Sequence, residues 1–485
     1  MRTVLHGRCR AWAIAMLGSI FVLASCEQGI APRSPARTGG LRADQASGVG
    51  PFGFVTFELG AVPGTVCPGS AGCANGAAEP QIRADATGVF YATSELGLGA
   101  GTLAWKSGDG GLHYTALDSP NQVSQAAGGV APGGGDTDVG IAPATNGSGV
   151  HNVYVASLSL ANVTVSTSRD GGATWSKDVL SATIPVDDRE WIAADGAAKV
   201  CVSYHDVATF NIDVTCSYDA GAAFTQLGSA IDPLHAFLLQ DNEIGNLVID
   251  PGTHAVYQLF SGIANAAEAV LGAGYHAVWL AASHDGGLTF TDHAVYVNPD
   301  STVNYGHQFV NMTVDRAGTV YAVYSDNHDL FYSFSKDGGD TWTGPIQVNQ
   351  APSATAVMPW SVACDPGKLN IVWYGTAYYD GTTVPDNYPA SAAWYVFFAQ
   401  NRDADAAGAF TQVAATPVIH YGGVCESGVT CSGNRDLYDD FGIAVAPATG
   451  LASIVYSDDQ PGNSGADDHT AIATQTGGPG ICPRD

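Results

Sequence analysis

Carboxylates recur at one register in this chain. Aligned on turns containing Asp85, Pro143, Asp195, Asp250, Asp315, Asp365 and Pro447, the residues seven positions earlier are Ala78, Asp136, Asp188, Glu243, Gln308, Met358 and Asp440. Glu79 adds an acid beside the first of them. Acids gathered around a narrow axis repel one another unless each accepts hydrogen bonds or a cation neutralises the group. Three roles are open to them: caps on a neighbouring backbone, oxygen ligands for a cation such as Ca²⁺, or catalytic and substrate-binding groups. The densest string is Asp187-Asp188-Arg189-Glu190-Trp191, where two acids, an arginine and a further acid could supply an acid, a base and an anion clamp. Glu243 and Asp440 are further catalytic candidates. Asp136, Arg435 and Asp436 are ligand-binding candidates, the last two in a second string with Tyr438-Asp439-Asp440. His205, His307 and His328 fall on or near the same rim, although thirteen histidines are spread over the chain and each alone reads as a hydrogen-bonded structural residue. Tyr374, Tyr378, Tyr379, Tyr388 and Trp394 cluster in one insertion. They could stack on sugar faces or form the loop's own small core.

The elements that must position these residues are short strands. Sixty glycines, 13% charged residues and no long helical periodicity suit many strands joined by tight turns. Each aligned turn follows one strand and precedes a second, such as Val89-Phe90-Tyr91, Val153-Tyr154-Val155, Val256-Tyr257-Gln258 or Val320-Tyr321-Ala322. A third strand then leads into a repeated turn. Its copies are Ser168-Arg169-Asp170-Gly171-Gly172-Ala173-Thr174-Trp175, Ser283-His284-Asp285-Gly286-Gly287-Leu288-Thr289-Phe290 and Ser335-Lys336-Asp337-Gly338-Gly339-Asp340-Thr341-Trp342, with looser versions around Asp109 and Asp219. The Asp can accept hydrogen bonds from the turn's own N–H groups, and glycine supplies a backbone conformation other residues resist. Seven such units of four strands predict an all-β, seven-bladed propeller, with six or eight blades if one unit is misread. The sixth unit has only a degenerate turn between Asn401 and Phe410, and the seventh stops after its third strand. Phe54-Val55-Thr56-Phe57 is the expected fourth strand of the last blade, closing the ring and removing exposed edges.

The repeated turn resembles the Asp-box, or bacterial neuraminidase repeat, of sialidases and many related β-propellers. The resemblance spans most of the chain and implies structural roles for Asp109, Asp170, Asp219, Asp285 and Asp337. A typical sialidase would further imply three arginines clamping the sugar carboxylate, a Tyr–Glu nucleophile pair, an Asp acid/base and a Phe/Tyr-Arg-Ile-Pro string near the start. That string is missing; the nearest arginine, Arg83, lies in Gln81-Ile82-Arg83-Ala84-Asp85. Among the remaining arginines only Arg189 and Arg435 are well placed for a clamp.

The N-terminus carries Arg2, Arg8 and Arg10 and then an apolar run from Ala11 to Ala24, which reads as an export signal. Leu23-Ala24-Ser25-Cys26 looks like a bacterial lipobox with Cys26 as the lipidated residue, giving a signal at 1–25, a tether at 26–50 and a single domain at 51–485. The expected location is a bacterial membrane reached through the lipid, the outer membrane or cell surface before the inner. Removing the signal takes away three arginines and no acid, so a chain already at −28 becomes more negative. That charge argues against nucleic acid and anionic membrane surfaces as partners. A glycan or an extracellular protein is the expected partner, and a monomer the expected state. Eight cysteines would remain, an even number suited to disulfides in an exported chain. Cys67 with Cys73 and Cys425 with Cys431 would close small loops, Cys201 and Cys216 would bridge neighbouring strands, and Cys364 and Cys482 are left by elimination.

In an up-and-down blade the start of the first strand and the end of the second share a face, opposite the repeated turn. The long insertions at 58–79, 262–274, 375–391, 414–437 and 457–469 all fall on that first face, where a rigid scaffold carries function. Three functions fit: a non-sialidase propeller binding a glycan or protein there; a divergent, exo-sialidase-like glycoside hydrolase using paired carboxylates such as Asp188 with Glu243 or Asp440; and a structural or assembly lipoprotein. Two carboxylates at hydrolase spacing in an open cleft would favour the second, and acids each bonded to backbone would oppose it.

Overall fold

The computed structural model describes residues 46–47, 50–69, 72–121, 133–159, 162–176, 179–182, 187–271, 274–306, 309–460 and 468–482. The expected export signal, Cys26 and His307 lie outside them. Seven separate antiparallel sheets follow one another along the chain, each built on four strands in up-and-down order, and together they form a seven-bladed β-propeller. The innermost strands of blades one to seven are Ala78–Ala84, Thr137–Thr145, Asp187–Asp195, Asn242–Ile249, Asn311–Val314, Thr355–Ala363 and Gly442–Val445. Gly53–Glu58 pairs with His469–Gly477, so the start of the domain supplies the outer strand of the last blade. Among the described residues no helix is long and apolar enough to cross a membrane.

Each blade packs both faces against its neighbours, so its central strands lose the in–out alternation of a half-solvated sheet. Every residue of His151–Ser159, Val256–Gly262, Ala277–Ser283 and Leu369–Thr376 is buried. The core is correspondingly divided into interblade layers. One sets Tyr321 and Tyr332 of blade five against Trp373 and Phe397 of blade six, and another sets Tyr154 and Val165 of blade two against Ile192 and Val202 of blade three.

The repeated turns close alike. In the fourth blade Asp285 accepts from Ser283 Oγ (2.8 Å), Leu288 N (3.1 Å), Thr289 N (2.9 Å) and Thr289 Oγ1 (2.6 Å), while Gly287 N donates to Ser283 Oγ (2.9 Å). Gly286 and Gly287 sit at φ +85° and +96°, which explains the paired glycine. Its third copy has Ala220 at φ +59° instead. Burial pushes the Asp285 carboxyl up, but the bonds from Thr289, Ser283 and Leu288 together outweigh it and hold the group down at about 2. Asp285→Ala is expected to cost about 1 kcal/mol, as loss of a comparable capping side chain does, measured by denaturant unfolding, with no change in ligand binding at the opposite face.

Four disulfides join Cys67 to Cys73, Cys201 to Cys216, Cys364 to Cys482 and Cys425 to Cys431. The pair left by elimination ties the turn after the first strand of blade six to the end of the chain.

Candidate functional site

The inner strands of blades one, three, four and six share a local irregularity near their start. Pairing register shifts between Ala78 and Gln81, between Asp188 and Glu190, between Ile244 and Leu247, and between Val357 and Trp360. In three of them a non-glycine residue takes the left-handed backbone: Glu79 (φ +49°), Arg189 (φ +47°) and Met358 (φ +52°). Such a bulge costs about 1 kcal/mol for a non-glycine residue and re-aims the side chains beside it.

At blades one and three the re-aimed groups meet. Arg189 is buried, donates through Nη2 to Asp440, and holds Nη1 3.6 Å from Glu79 and 3.7 Å from Asp136. Arg435 donates from Nη2 to Glu79 (2.9 Å) and to Asp439. Gln81 donates to Asp440 and accepts from Arg83 (3.1 Å), whose other terminal nitrogen reaches Asp138 at 3.1 Å. A continuous charged chain therefore runs Asp138–Arg83–Gln81–Asp440–Arg189–Glu79–Arg435–Asp439. Of these acids, Asp138 also caps a neighbouring blade's backbone, accepting from Ile192 N at 3.0 Å. Guanidinium groups, rather than backbone caps, hold the other acids of this chain.

Beneath the mouth the Arg189 guanidinium lies 4.1 Å over the Trp191 ring and 4.6 Å over Phe309. Trp191 packs on Trp360 with ring centroids 4.9 Å apart. Deeper still, all seven inner strands line a cavity of ≈ 290 Å³, mostly with aliphatic side chains. The aromatic layer thus forms a floor between an acidic mouth and an apolar axis.

Electrostatics at the mouth favour retained protons. Burial, then Asp136, push the Glu95 carboxyl up to about 8. Burial and Asp188 do the same to Glu243, also to about 8. Asp440 rises only to about 6, because Arg189 opposes the burial. Burial and Glu95 hold Glu79 well above the usual range, and burial and Asp136 do so for Glu190. Asp188 keeps an exposed edge, yet enclosure and Asp136 push it up as well. Burial works against the Arg189 charge, but Asp440, Asp136 and Glu79 overcome it. One oxygen from each of Glu79, Glu95 and Asp136 lies within 4.8 Å of the others. This donor set has the chemistry Ca²⁺ prefers, but Arg189 and Arg435 already supply positive charge to it.

Among the residues singled out by sequence, Asp136, Arg189 and Asp440 come together directly, with Arg435 joined through Glu79. Asp188 and Glu243 belong to the same electrostatic group. Glu190 is fully buried, with neither carboxylate oxygen hydrogen-bonded among the described residues, and Asp136, Arg189 and Asp188 act on it electrostatically. Asp436 points elsewhere, to His420 (4.0 Å), which Asp459 also binds at 2.7 Å. Trp394, expected as a ligand-stacking ring, needs correction: it is fully buried, donates from Nε1 to Gly422 O (2.9 Å) and packs on Tyr388. Tyr378 packs edge-on against Tyr388. Tyr379 stays 42% exposed, its ring 3.6 Å from that of His328. Sequence reasoning missed Glu95. It ends the second strand of blade one opposite Ala78, and acids also end or follow that strand at Asp206, Asp326 and Asp458; this second register was the available signal.

The fold and mouth define a seven-bladed propeller with an acidic axial site on its insertion-bearing face. No family model matches the sequence, and no curated protein does. Among solved structures, similarity is found to the GH74 xyloglucanase from Xanthomonas campestris, with TM-score 0.48 and 14% identity over 84% of this chain and 52% of that one. The GH93 α-L-arabinofuranosidase of Fusarium graminearum with arabinobiose gives TM-score 0.45 and 12% identity over 83% of this chain and 93% of that one. The NanB sialidase from Streptococcus pneumoniae gives TM-score 0.39 and 11% identity, covering 86% and 70%. The fold assignment rests on the seven sheets of the chain itself.

Proposed function

We propose that this chain is an exported, lipid-anchored propeller that binds an uncharged glycan at the acidic mouth. The observation that carries this reading is the capture of Arg189 and Arg435 by Asp440, Glu79 and Asp439. Both guanidinium groups are already engaged, so neither is free to clamp a sugar carboxylate. Sugar hydroxyls, by contrast, can donate to Glu95, Asp136, Asp188 and Glu243.

A specific observation favours hydrolysis as a second reading. Burial, then Asp136, hold a proton on Glu95, and the nearest oxygens of the two carboxyls lie within 4.8 Å of each other, close enough for both to act on one glycosidic bond. In that reading Glu95 protonates the leaving oxygen as the glycosidic bond breaks, Asp136 bonds to the anomeric carbon as a glycosyl ester, and water deprotonated by Glu95 then displaces Asp136. Neutral acids and a buried arginine preset the charge pattern before the sugar arrives.

The test is a glycan array carrying neutral and sialylated oligosaccharides, paired with turnover of neutral and sialyl aryl glycosides by wild type and Glu95→Gln. Binding confined to neutral sugars and weakened at least about tenfold by the substitution supports the reading. Turnover that falls by 10²–10⁴ in the variant adds hydrolysis. Selective sialoside binding, or neutral binding indifferent to Glu95, would overturn it.

A further inference from the structure

A polar pocket of ≈ 390 Å³ opens between the short turn at Asn327 in blade five and the insertions at 375–391 and 414–437. Its lining includes Asn327, Asp386, Asn387, Ser432 and Asn434, with the Cys425–Cys431 bridge in one wall. The lining contains no lysine, arginine or histidine. The walls are knit by backbone: Val424 N donates to Pro385 O (3.1 Å), Cys425 N to Asn434 O (2.9 Å), and Asn434 Nδ2 to Asp386 O (2.8 Å). Asp386, Asn387 and Ser432 line the pocket, and among the described residues their side chains make no hydrogen bond with the protein. Next to Asn327, His328 carries the exposed ring of Tyr379 at 3.6 Å. On the other side Asn434 is followed directly by Arg435, which reaches Glu79 in the mouth. One short segment thus belongs to both the pocket and the mouth.

We infer that this pocket is a second subsite for a neutral sugar ring of the same glycan, with Tyr379 as an aromatic platform beside it. Amides, hydroxyls and one carboxylate complement vicinal hydroxyls and offer no cationic side chain to a phosphate or a sugar acid. The volume falls within the usual range of small-ligand pockets, and the disulfide and the hydrogen bonds between the two loops keep the walls in place before binding. The ligand is therefore an oligosaccharide, whose affinity grows once it is long enough to reach from mouth to pocket. This inference rests on the mouth being a glycan site.

The experiment titrates the best neutral array hit as a size series, from mono- to hexasaccharide, against wild type, Asn387→Ala, Tyr379→Ala and Glu95→Gln by calorimetry. Thermal melts check that each variant is folded. Wild-type affinity is expected to rise at least about tenfold over the series. Asn387→Ala and Tyr379→Ala should each remove most of that rise while leaving the shortest binder unchanged, and Glu95→Gln should weaken every length. A rise that survives both pocket substitutions, or no rise with length, overturns the second subsite while the mouth reading stands. Absence of neutral-glycan binding in wild type overturns both.

Discussion

Arg189→Met should destabilise the domain by about 3–5 kcal/mol, the cost of stranding buried charges without their partner. The guanidinium contacts Asp440, Glu79 and Asp136 and also rests on Trp191 and Phe309. Methionine can replace some of the apolar contact but none of the charge. The stranded acids can then recover only by taking up protons, so the deficit should shrink with falling pH. Denaturant unfolding of wild type and variant at pH 5.5 and pH 8.5 checks this: a larger gap at pH 8.5 is expected, and an equal gap would remove the electrostatic explanation.

The wild-type domain should itself be more stable at pH 5.5 than at pH 8.5. Carboxyls raised by folding bind more protons in the native state than in the unfolded chain between their two values, so unfolding free energy falls as pH rises through that interval. Glu95 and Glu243 at about 8, Asp187 at about 7 and Asp440 at about 6 set the upper edge of the window. Their stabilisation is complete below the unfolded carboxylate range near pH 4 and is lost as pH climbs through 6–8. Asp285 and Asp337, both held at about 2, act in the opposite sense and lose their contribution only as pH falls toward 2. The optimum should fall near pH 4, with a loss of at least about 2 kcal/mol by pH 8.5 after discounting for coupling among the acids. Unfolding curves in EDTA across this range measure it. A flat profile would mean that the mouth acids ionise freely in the native state.

Much of the scaffold was legible because it is local and repeated. The Ser-x-Asp-x-Gly turn carries its own hydrogen-bond donors and acceptors, so three close copies and two looser ones reveal the period without knowledge of packing. Phe54–Phe57 could be placed because a seventh unit short of one strand leaves an open edge. The site was less legible for a physical reason. A bulge at Glu79 or Arg189 shifts the pairing register, and in a strand a one-residue shift exchanges the two faces. The shift between Asp188 and Glu190 is not visible in the string Asp187-Asp188-Arg189-Glu190, and neither is the burial of Glu190. Glu95 comes from a different strand and joins Glu79 and Asp136 only across blades. Trp394 and Tyr379 share one aromatic-rich insertion, yet burial separates a core ring from an exposed one.

The reading of the mouth as an uncharged-glycan site is tested most directly by a crystal structure of the protein soaked with its best-binding neutral oligosaccharide. A sugar ring above the Trp191–Phe309 floor, with hydroxyls bonded to Glu95, Asp136 or Asp188 and Arg189 still held by Asp440, is the predicted result. A ligand bound elsewhere on the ring of blades, or a sugar acid displacing Asp440 and Asp439 from the two arginines, would contradict it.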